Sequence, residues 1–297
     1  RLNLPGYSCF GEAAQITSFV ADRYANPVPS GTPVYYTSEA GAMVMDSTNM
    51  EPAFTNGYGQ AAALHVTQLP YPDTTSVVTG VPGISTILAW TQGQEAFIDE
   101  NGNGIYDLGE PFDDFGEPFI DANDNGAYAL SERYVDSNAN GKYDGPNGVW
   151  DDDTFVWNTI GVLWSSFDIT LSITPGLGCP GYVIPEGQSC EITIEVVDNN
   201  TNPIVGGSTI SINPPNPTLL PYQYHIYPNL DESPEFIIPD ANYSGLDTTI
   251  FKFVVRNNLG GEEGSLGMVI DLNVPGFCTS DFQLTRTISV TLEAPTP

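Results

Sequence analysis

The sequence contains few basic residues, and this shortage excludes several kinds of partner. Its 297 residues include 7 Lys and Arg against 37 Asp and Glu, which gives a formal net charge of −30 at pH 7. A surface this negative repels phosphate backbones and anionic lipid headgroups. The chain also has no apolar run near 20 residues. We therefore expect no binding to nucleic acid and no insertion into a membrane.

Residues typical of catalytic sites are also scarce. The two histidines, His65 and His225, lie far apart in the sequence, and there is no Gly-x-Ser-x-Gly elbow, phosphate-binding loop or Cys-x-x-Cys pair. A lone histidine in a strand usually has a structural role. We expect that the protein is not an enzyme.

Only four cysteines are present, and they allow three pairings. Cys179 and Cys190 flank a short segment rich in Pro and Gly, so we predict a local disulfide between them. Cys9 and Cys278 then remain near opposite ends of the sequence, and they could pair within one chain or between neighbours. Because disulfides form in oxidising compartments and the chain begins with Arg1 instead of Met, we expect a processed, secreted protein, extracellular or on a bacterial cell surface.

Helical periodicity is nearly absent, while 25 prolines and 30 glycines divide the chain into short apolar or alternating runs. Such runs predict strands. The predicted strands are 15–21, 34–37, 61–68, 84–91, 155–164, 168–174, 190–197, 209–212, 249–255, 268–272 and 287–293. We predict an all-β fold of two immunoglobulin-like β-sandwiches, in residues 1–167 and 168–297.

A loop pattern is repeated three times between residues 95 and 153, and we number the copies loops one, two and three. Each reads Asp-x-Asn-x-Asn-Gly, beginning at Asp99, Asp121 and Asp136. Oxygen-bearing side chains at positions 1, 3 and 5 and Gly at position 6 match the first half of an EF-hand calcium loop. This acidic segment carries 16 acidic residues against Arg133 and Lys142, a local charge of −14. Because it would repel itself without cations, we expect ion binding and folding to be coupled.

The three loops differ in how completely they fill the ligand positions. Loop one fills all of them, loop two has Ala129 at position 9, and loop three has Asn147 at position 12. Asp151, Asp152 or Asp153 could close loop three instead. The residues at position 7 would bind through their carbonyl oxygens. The predicted Ca²⁺ ligands are Asp99, Asn101, Asn103, Ile105, Asp107 and Glu110 in loop one, Asp121, Asn123, Asn125, Ala127 and Glu132 in loop two, and Asp136, Asn138, Asn140, Lys142 and Asp144 in loop three. We expect two to three Ca²⁺ ions.

The helices that flank an EF-hand loop do not fit between these copies, because three residues separate Glu132 from Asp136. The loops must therefore pack on one another. Aromatic residues recur at fixed offsets and predict a small shared core: Phe97, Phe119 and Tyr134 before the loops, and Tyr106, Tyr128 and Tyr143 within them. The arrangement resembles the helix-poor calcium repeats of bacterial surface proteins and, more distantly, thrombospondin type 3 repeats. If the flanking strands 84–91 and 155–164 pair, the segment is an excursion from the first sandwich; the alternative is a separate linker module.

Two further stretches carry a second resemblance. Ile16-Thr-Ser-Phe-Val-Ala-Asp22 is followed by Asn26-Pro-Val-Pro-Ser-Gly-Thr-Pro-Val34, and later by Thr55-Asn-Gly-Tyr-Gly-Gln-Ala-Ala-Ala-Leu64. This is similar to the bacterial immunoglobulin-like domain of the invasin type, Big-1. A second copy, without the later Gly-x-Ala turn, covers residues 185–207 and contains Asp198 and Asn202-Pro203. The resemblance implies immunoglobulin-like sandwiches in a bacterial surface protein.

Together these features favour a structural subunit of an extracellular or cell-surface filament, rigidified by calcium. Leu2 and Leu4 alternate as a donor strand requires, so we predict a homopolymer whose terminal segments join protomers, with strand exchange as one mechanism. The alternative is an adhesin module that binds a receptor or surface glycans, for which the aromatic stretch 222–227 would provide a platform. A third option is an accessory module of a larger secreted enzyme.

Overall fold

The computed structural model describes residues 2–45, 52–72, 82–213, 235–240, 249–258, 263–275, 278 and 282–294, and the backbone of 224–227. The chain forms two compact units, which we name the first unit (Arg1–Leu2 and Phe10–Trp164) and the second unit (Asn3–Cys9 and Ser165–Pro297). The division falls after Trp164 instead of residue 167, and Asn3–Cys9 belongs to the second unit. Within the described ranges, no helix is long and apolar enough to cross a membrane.

The prediction of an all-β fold is confirmed, and all eleven predicted strands are present. Six shorter strands were not predicted. The strands are β1 Asn3–Leu4, β2 Ala13–Phe19, β3 Pro33–Ser38, β4 Ala42–Val44, β5 Ala53–Phe54, β6 Gln60–Val66, β7 Ile84–Gly93, β8 Thr154–Trp164, β9 Ile169–Pro175, β10 Val183–Ile184, β11 Ser189–Asp198, β12 Thr209–Asn213, β13 Tyr224–Tyr227, β14 Glu235–Ile237, β15 Ile250–Asn257, β16 Gly264–Val274 and β17 Phe282–Leu292. One turn of 3₁₀ helix, Pro180–Tyr182, precedes β10.

In the first unit, a sheet with the order β8-β7-β3-β5 faces a sheet with the order β2-β6-β4. The inward positions of β2 and β6 carry small residues, among them Ala14, Ala61 and Ala63, all buried. Their size leaves room for the fully buried Tyr36 of β3, whose hydroxyl donates to the Ala61 carbonyl oxygen at 2.9 Å. This hydrogen bond joins the two sheets and satisfies the phenol inside the core.

The second unit is a sandwich of two larger sheets, ordered β10-β17-β16-β12-β14 and β13-β15-β11-β9. Side chains alternate along β11, so that Cys190, Ile192, Ile194 and Val196 are all buried. They pack in one cluster with Ile210, Ile212, Met268, Ile270, Val290 and other residues of the opposite sheet. Burial of each such aliphatic side chain stabilises the fold by about 1.5–3 kcal/mol.

Each unit contains the same Asp-to-Asn turn, at the two places where the sequence resembles Big-1. The Asp22 carboxylate accepts the backbone N–H groups of Tyr24 and Asn26, both at 2.9 Å. The Asp198 carboxylate likewise accepts those of Asn200 at 2.9 Å and Asn202 at 2.8 Å. The carboxylates hold the tight bends by which the chain leaves β2 and β11.

Both disulfides form within the chain. Cys179 bonds to Cys190, as predicted, and Cys9 bonds to Cys278, with Cα–Cα distances of 5.5 Å in each. The second bridge spans 269 residues and ties the N-terminal segment Asn3–Cys9 to the rest of the second unit.

The acidic segment is the connection of a long hairpin in the first unit. β7 and β8 pair antiparallel from Ile84 opposite Leu163 to Gly93 opposite Thr154. Both strands therefore end where the acidic segment begins and ends. Because β7 and β8 pair, the acidic segment is an excursion from the first sandwich and not a separate linker module.

Candidate metal sites

Loop one closes around the carboxylate of Asp99. This carboxylate accepts the backbone N–H groups of Asn103 at 3.1 Å and Gly104 at 2.8 Å. Gly104 has φ +87°, a left-handed conformation that glycine adopts without strain. The side-chain amides of Asn101 and Asn103 both reach the Asp107 carboxylate at 2.6 Å. The side chains at positions 3, 5 and 9 are thus joined by hydrogen bonds, and the side chain at position 1 holds the backbone of the same loop.

Loops two and three repeat this geometry. Asp121 accepts from Asn125 at 3.0 Å and from Gly126 at 2.6 Å. Asp136 accepts from Asn140 at 3.1 Å and from Gly141 at 2.8 Å. In loop three the amides of Asn138 and Asn140 also converge on Asp144, at 2.7 and 2.6 Å. The three copies of the sequence pattern therefore have one conformation.

A buried glutamate completes loops one and two. The Glu110 carboxylate accepts the N–H groups of Glu100 and Asp107, positions 2 and 9 of loop one, both at 2.9 Å. Glu132 does the same in loop two, with Ala122 at 3.1 Å and Ala129 at 2.8 Å. Both glutamates are 7% exposed. These are the two residues predicted at position 12.

Loop three is completed by Glu117, which sequence reasoning missed. Its carboxylate accepts the N–H groups of Ser137 at 2.7 Å and Asp144 at 3.0 Å, again positions 2 and 9. Glu117, and not Asp151, Asp152 or Asp153, therefore takes the closing place. One sequence signal could have located it, because a glutamate stands four residues before the first ligand of each loop: Glu95, Glu117 and Glu132.

Loops two and three form a pair, which explains why Glu117 can reach across. Phe119 and Tyr134 form a β-bridge, flanked by backbone hydrogen bonds from Ile120 to Arg133 and from Val135 to Pro118, both at 2.8 Å. The rings of Tyr128 and Tyr143 stack at 3.8 Å between centroids. The predicted aromatic residues do pack, but in two clusters instead of one shared core: Phe119, Tyr128, Tyr134 and Tyr143 pack here, whereas Phe97 and Tyr106 pack with Trp150. In this pair, the glutamate that precedes one loop closes the other.

Two arginines attach the acidic segment to the sandwich. Arg23, in the turn after β2, donates to the Gly104 carbonyl oxygen at 2.7 Å, and its guanidinium lies 4.3 Å from the centre of the Phe97 ring. Arg133 donates to the carbonyl oxygens of Ser38 and Glu39, at the end of β3. These contacts hold the acidic segment against the turn after β2 and the end of β3.

The donor set fits a hard cation. Carboxylate, amide and carbonyl oxygens are the ligands that Ca²⁺ prefers, and histidine and cysteine do not occur in the segment. In the parts of the chain that the structure describes, no three His, Cys, Asp or Glu side chains converge as ligands. The Asn101 and Asn103 amides turn their N–H groups toward Asp107, and rotation about the last side-chain bond would present their oxygens instead.

The electrostatic environment is consistent with this reading of the donor set. Burial, followed by the negative charges of Glu117 and of neighbouring groups, raises the pKa of the Tyr143 phenol. The second part of this pKa shift reflects the negative charge that Glu117 and its neighbours place around the Tyr143 ring.

We predict that Glu117→Gln weakens calcium binding at loop three at least tenfold, because a neutral amide cannot act as a bidentate carboxylate. Calorimetric titration of calcium would measure the loss, and the amides of Ser137 and Asp144 should exchange faster with solvent. Glu100→Gln is the matched control, since it removes the same charge from an exposed side chain of the segment. Equal calcium affinity in the two variants would refute the role of Glu117.

Only one of the two histidines, His65, has a side chain that the structure describes. His65 is fully buried in β6, and its Nε2 accepts the indole N–H of Trp164 at 3.2 Å. His225 lies in β13, and the side chains of residues 222–227, the predicted glycan platform, lie outside the described residues.

We predict a pH-dependent loss of stability in the first unit through His65. Burial lowers its pKa to about 4 from 6.5. Below pH 6.5 the unfolded state binds the proton more readily, so stability falls between pH 6.5 and 4 by up to about 3 kcal/mol. Urea denaturation of the wild type and His65→Gln at pH 7, 6, 5 and 4 tests this. The wild-type advantage should shrink as pH falls, and a constant difference would contradict the prediction.

The comparisons with known proteins do not assign a family. The sequence matches no protein-family model and no curated protein. Among solved structures it is similar to the Yersinia pseudotuberculosis adhesin InvE, with 11% identity, a TM-score of 0.30 and coverage of 98% of this chain and 56% of that chain. It is also similar to domains 4–9 of the surface layer protein SbsC, with 11% identity, a TM-score of 0.24 and coverage of 96% and 29%. The chain therefore spans little more than half of the first protein and under a third of the second, and similarity at these TM-scores leaves its family unassigned.

Proposed function

We propose that this chain is a structural subunit of an extracellular or cell-surface filament, and that calcium in the acidic segment rigidifies it. The observation that carries the calcium proposal is the set of three loops of one conformation, each completed by a buried glutamate. Glu110, Glu117 and Glu132 form no ion pair with any lysine, arginine or histidine that the structure describes. A buried carboxylate needs a counter-charge, and bound cations would supply it.

The position of the loops supports a mechanical role for the ions. The segment joins β7 to β8 and is held to the sandwich by Arg23 and Arg133. Ions that neutralise the local charge of −14 would convert a self-repelling connection into a packed one. Two disulfides, which persist in oxidising compartments, support an extracellular location.

The N-terminal segment supports a specific form of protomer exchange. Leu4 is fully buried in its own chain, where its carbonyl oxygen accepts the Ser165 N–H at 2.8 Å. Asn3 is also buried, and its side-chain amide donates to the carbonyl oxygens of Pro203 and Ile204, both at 3.0 Å. A polymer linked by this segment would therefore be domain-swapped, with one protomer's Asn3–Leu4 filling the same place in a neighbour.

Electron microscopy of the native protein at 1 mM calcium, repeated after excess EGTA, tests the filament proposal. Regular filaments that dissolve on chelation are the expected result. The swapped form also predicts that Asn3→Ala shortens or abolishes filaments, because it removes three side-chain hydrogen bonds at the joint, two donated to Pro203 and Ile204 and one accepted from the Ser165 hydroxyl. Monodisperse monomers under both conditions would refute the filament proposal and leave calcium binding to be judged separately.

A groove in the first unit favours the adhesin as the second candidate. Its volume is about 790 Å³, and it lies between the turn after β2 and loop one. Tyr24, Phe97, Tyr106 and Trp150 line it together with Arg23. Aromatic faces beside a polar group are typical of ligand sites, and sugars stack on such faces.

A glycan-binding screen at 1 mM calcium would test the adhesin function. Specific binding that Tyr24→Ala reduces at least tenfold would support it, since Tyr24 is 64% exposed in the groove. Tyr58→Ala is the control, because Tyr58 is 80% exposed and does not line the groove. Binding that neither variant changes would show that the groove is not the ligand site.

A further inference from the structure

The second half of the loop pattern occurs a fourth time, at Asn147-Gly-Val-Trp-Asp151, without a first half before it. Loops one and three have the same order of Asn, Gly, any residue, an aromatic and Asp at positions 5 to 9. Gly148 has φ +77°, compared with +87° at Gly104 and +75° at Gly141. The five residues therefore have both the sequence and the turn of positions 5 to 9.

The first position of this fourth loop is filled by Asp114, 33 residues earlier in the chain. Its carboxylate accepts the N–H groups of Asn147 at 3.0 Å and Gly148 at 2.6 Å, as Asp99 does with Asn103 and Gly104 in loop one. The Asn147 amide donates to the Asp151 carboxylate at 3.1 Å, which is again the contact between positions 5 and 9.

The closing glutamate is Glu95. Its carboxylate accepts the N–H groups of Phe115 at 2.7 Å and Asp151 at 2.9 Å, which are positions 2 and 9 of the fourth loop. Glu110, Glu117 and Glu132 bind the same two positions in the other loops. All four glutamates also donate their own N–H to the carbonyl oxygen at position 9, at 2.9–3.0 Å.

The fourth loop is interrupted because loops two and three are inserted into it. The chain leaves after Phe115 and returns before Asn147. At the interruption, a Cβ on Gly116 would lie 2.9 Å from the backbone of Gly145, so the outgoing and returning chains touch. This insertion explains why the pattern cannot be read as one continuous motif.

Loop one pairs with the fourth loop as loop two pairs with loop three. Phe97 and Phe112 form a β-bridge, flanked by backbone hydrogen bonds from Ile98 to Pro111 and from Asp113 to Ala96, both at 2.8 Å. The rings of Tyr106 and Trp150, both at position 8, stack with their centroids 4.9 Å apart. The acidic segment thus contains two equivalent pairs.

The burial of Glu95 is a second observation that points to a cation. Its side chain is completely buried, and it forms no ion pair with any lysine, arginine or histidine among the described residues. Two N–H groups satisfy its oxygens as acceptors but supply no counter-charge. Such burial is strongly unfavourable unless a counter-charge is close.

We propose that Glu95, Asp114, Asn147 and Asp151, with the carbonyl oxygen of Val149, form a fourth calcium site. The proposal rests on the proposed calcium binding of loops one to three and extends it. Glu95 follows the end of β7 and Asp151 precedes the start of β8. An ion here fastens both ends of the acidic segment at once, whereas the ions of loops two and three lie within the insertion.

Equilibrium dialysis of the full chain against calcium, with bound calcium counted per chain, tests the proposal. The wild type should bind four ions, and Asp114→Asn should bind three. Asp113→Asn is the matched control and should bind four, because this adjacent exposed aspartate has the same charge but does not occupy a ligand position of any loop. Glu95→Gln, which removes the buried carboxylate but keeps the size of the side chain, should also bind three.

Hydrogen exchange in the same samples adds a local readout. Asp114→Asn should speed exchange of the Asn147 and Gly148 amides and leave those of Asn125 and Gly126 unchanged. Three ions on the wild type, with no further loss in Asp114→Asn, would overturn the fourth site and leave the proposed function standing. No bound calcium on the wild type would overturn both.

Discussion

Removal of calcium with excess EGTA should abolish hydrogen-exchange protection throughout the acidic segment and destabilise the first unit. An ion with a dissociation constant near 10 µM at 1 mM free calcium stabilises the native state by about 2.7 kcal/mol, so three such ions contribute up to about 8 kcal/mol. This is comparable with the total stability of a typical domain, about 5–15 kcal/mol. The loss should spread into β7 and β8, whose ends the segment joins.

The second unit is the internal control for this experiment. It contains none of the loops, so the amides of β11 and β16 should exchange at the same rate with and without calcium. Magnesium at the same concentration should restore less protection, because it demands a smaller, more rigid octahedral site. Unchanged protection of the acidic segment in EGTA would show that the loops fold without ions.

Replacement of Cys9 and Cys278 by serine should be the most destabilising disulfide removal. The bridge closes 269 residues, and the chain-entropy model assigns such a loop about 5.6 kcal/mol of stabilisation. The Cys179–Cys190 bridge spans 11 residues and contributes about 3 kcal/mol in the same model. Urea denaturation of the two double variants, each followed by a probe in the second unit, measures the difference.

The same two double variants show whether the Cys9–Cys278 bridge or packing alone holds the N-terminal segment in place. If Cys9 pins Asn3–Cys9 into the second unit, the amides of Asn3 and Leu4 should lose protection in the Cys9/Cys278 variant and keep it in the Cys179/Cys190 variant. Equal stability loss and equal protection in both variants would mean that packing alone holds the segment.

The long strands could be predicted because each buries one face. In β11, every second residue from Cys190 to Val196 is apolar and buried, and this alternation is visible in the sequence. The short strands β1, β4, β5, β10 and β14 contain two or three residues, too few for an alternating pattern. Their pairing depends on distant chain segments, as for β10, which runs parallel to β17.

The sequence predicts those parts of the metal loops whose residues are close together in the chain. Positions 1 to 9 of loops one to three are local, so the spacing of Asp, Asn and Gly identifies them. Glu117 closes a loop that begins 19 residues later, at Asp136, and this depends on the pairing of loops two and three. The contacts of Asp114 with Asn147 cross the whole insertion, and no spacing rule predicts them.

The most direct test of the account is a calorimetric titration of calcium into the chelator-treated wild-type protein. We expect saturable binding of three or more ions per chain, with dissociation constants at or below about 10 µM, accompanied by a gain of ordered structure. A titration without binding heat, from a protein that retains no calcium on dialysis, would contradict the central claim that the acidic segment is a calcium-dependent structural element.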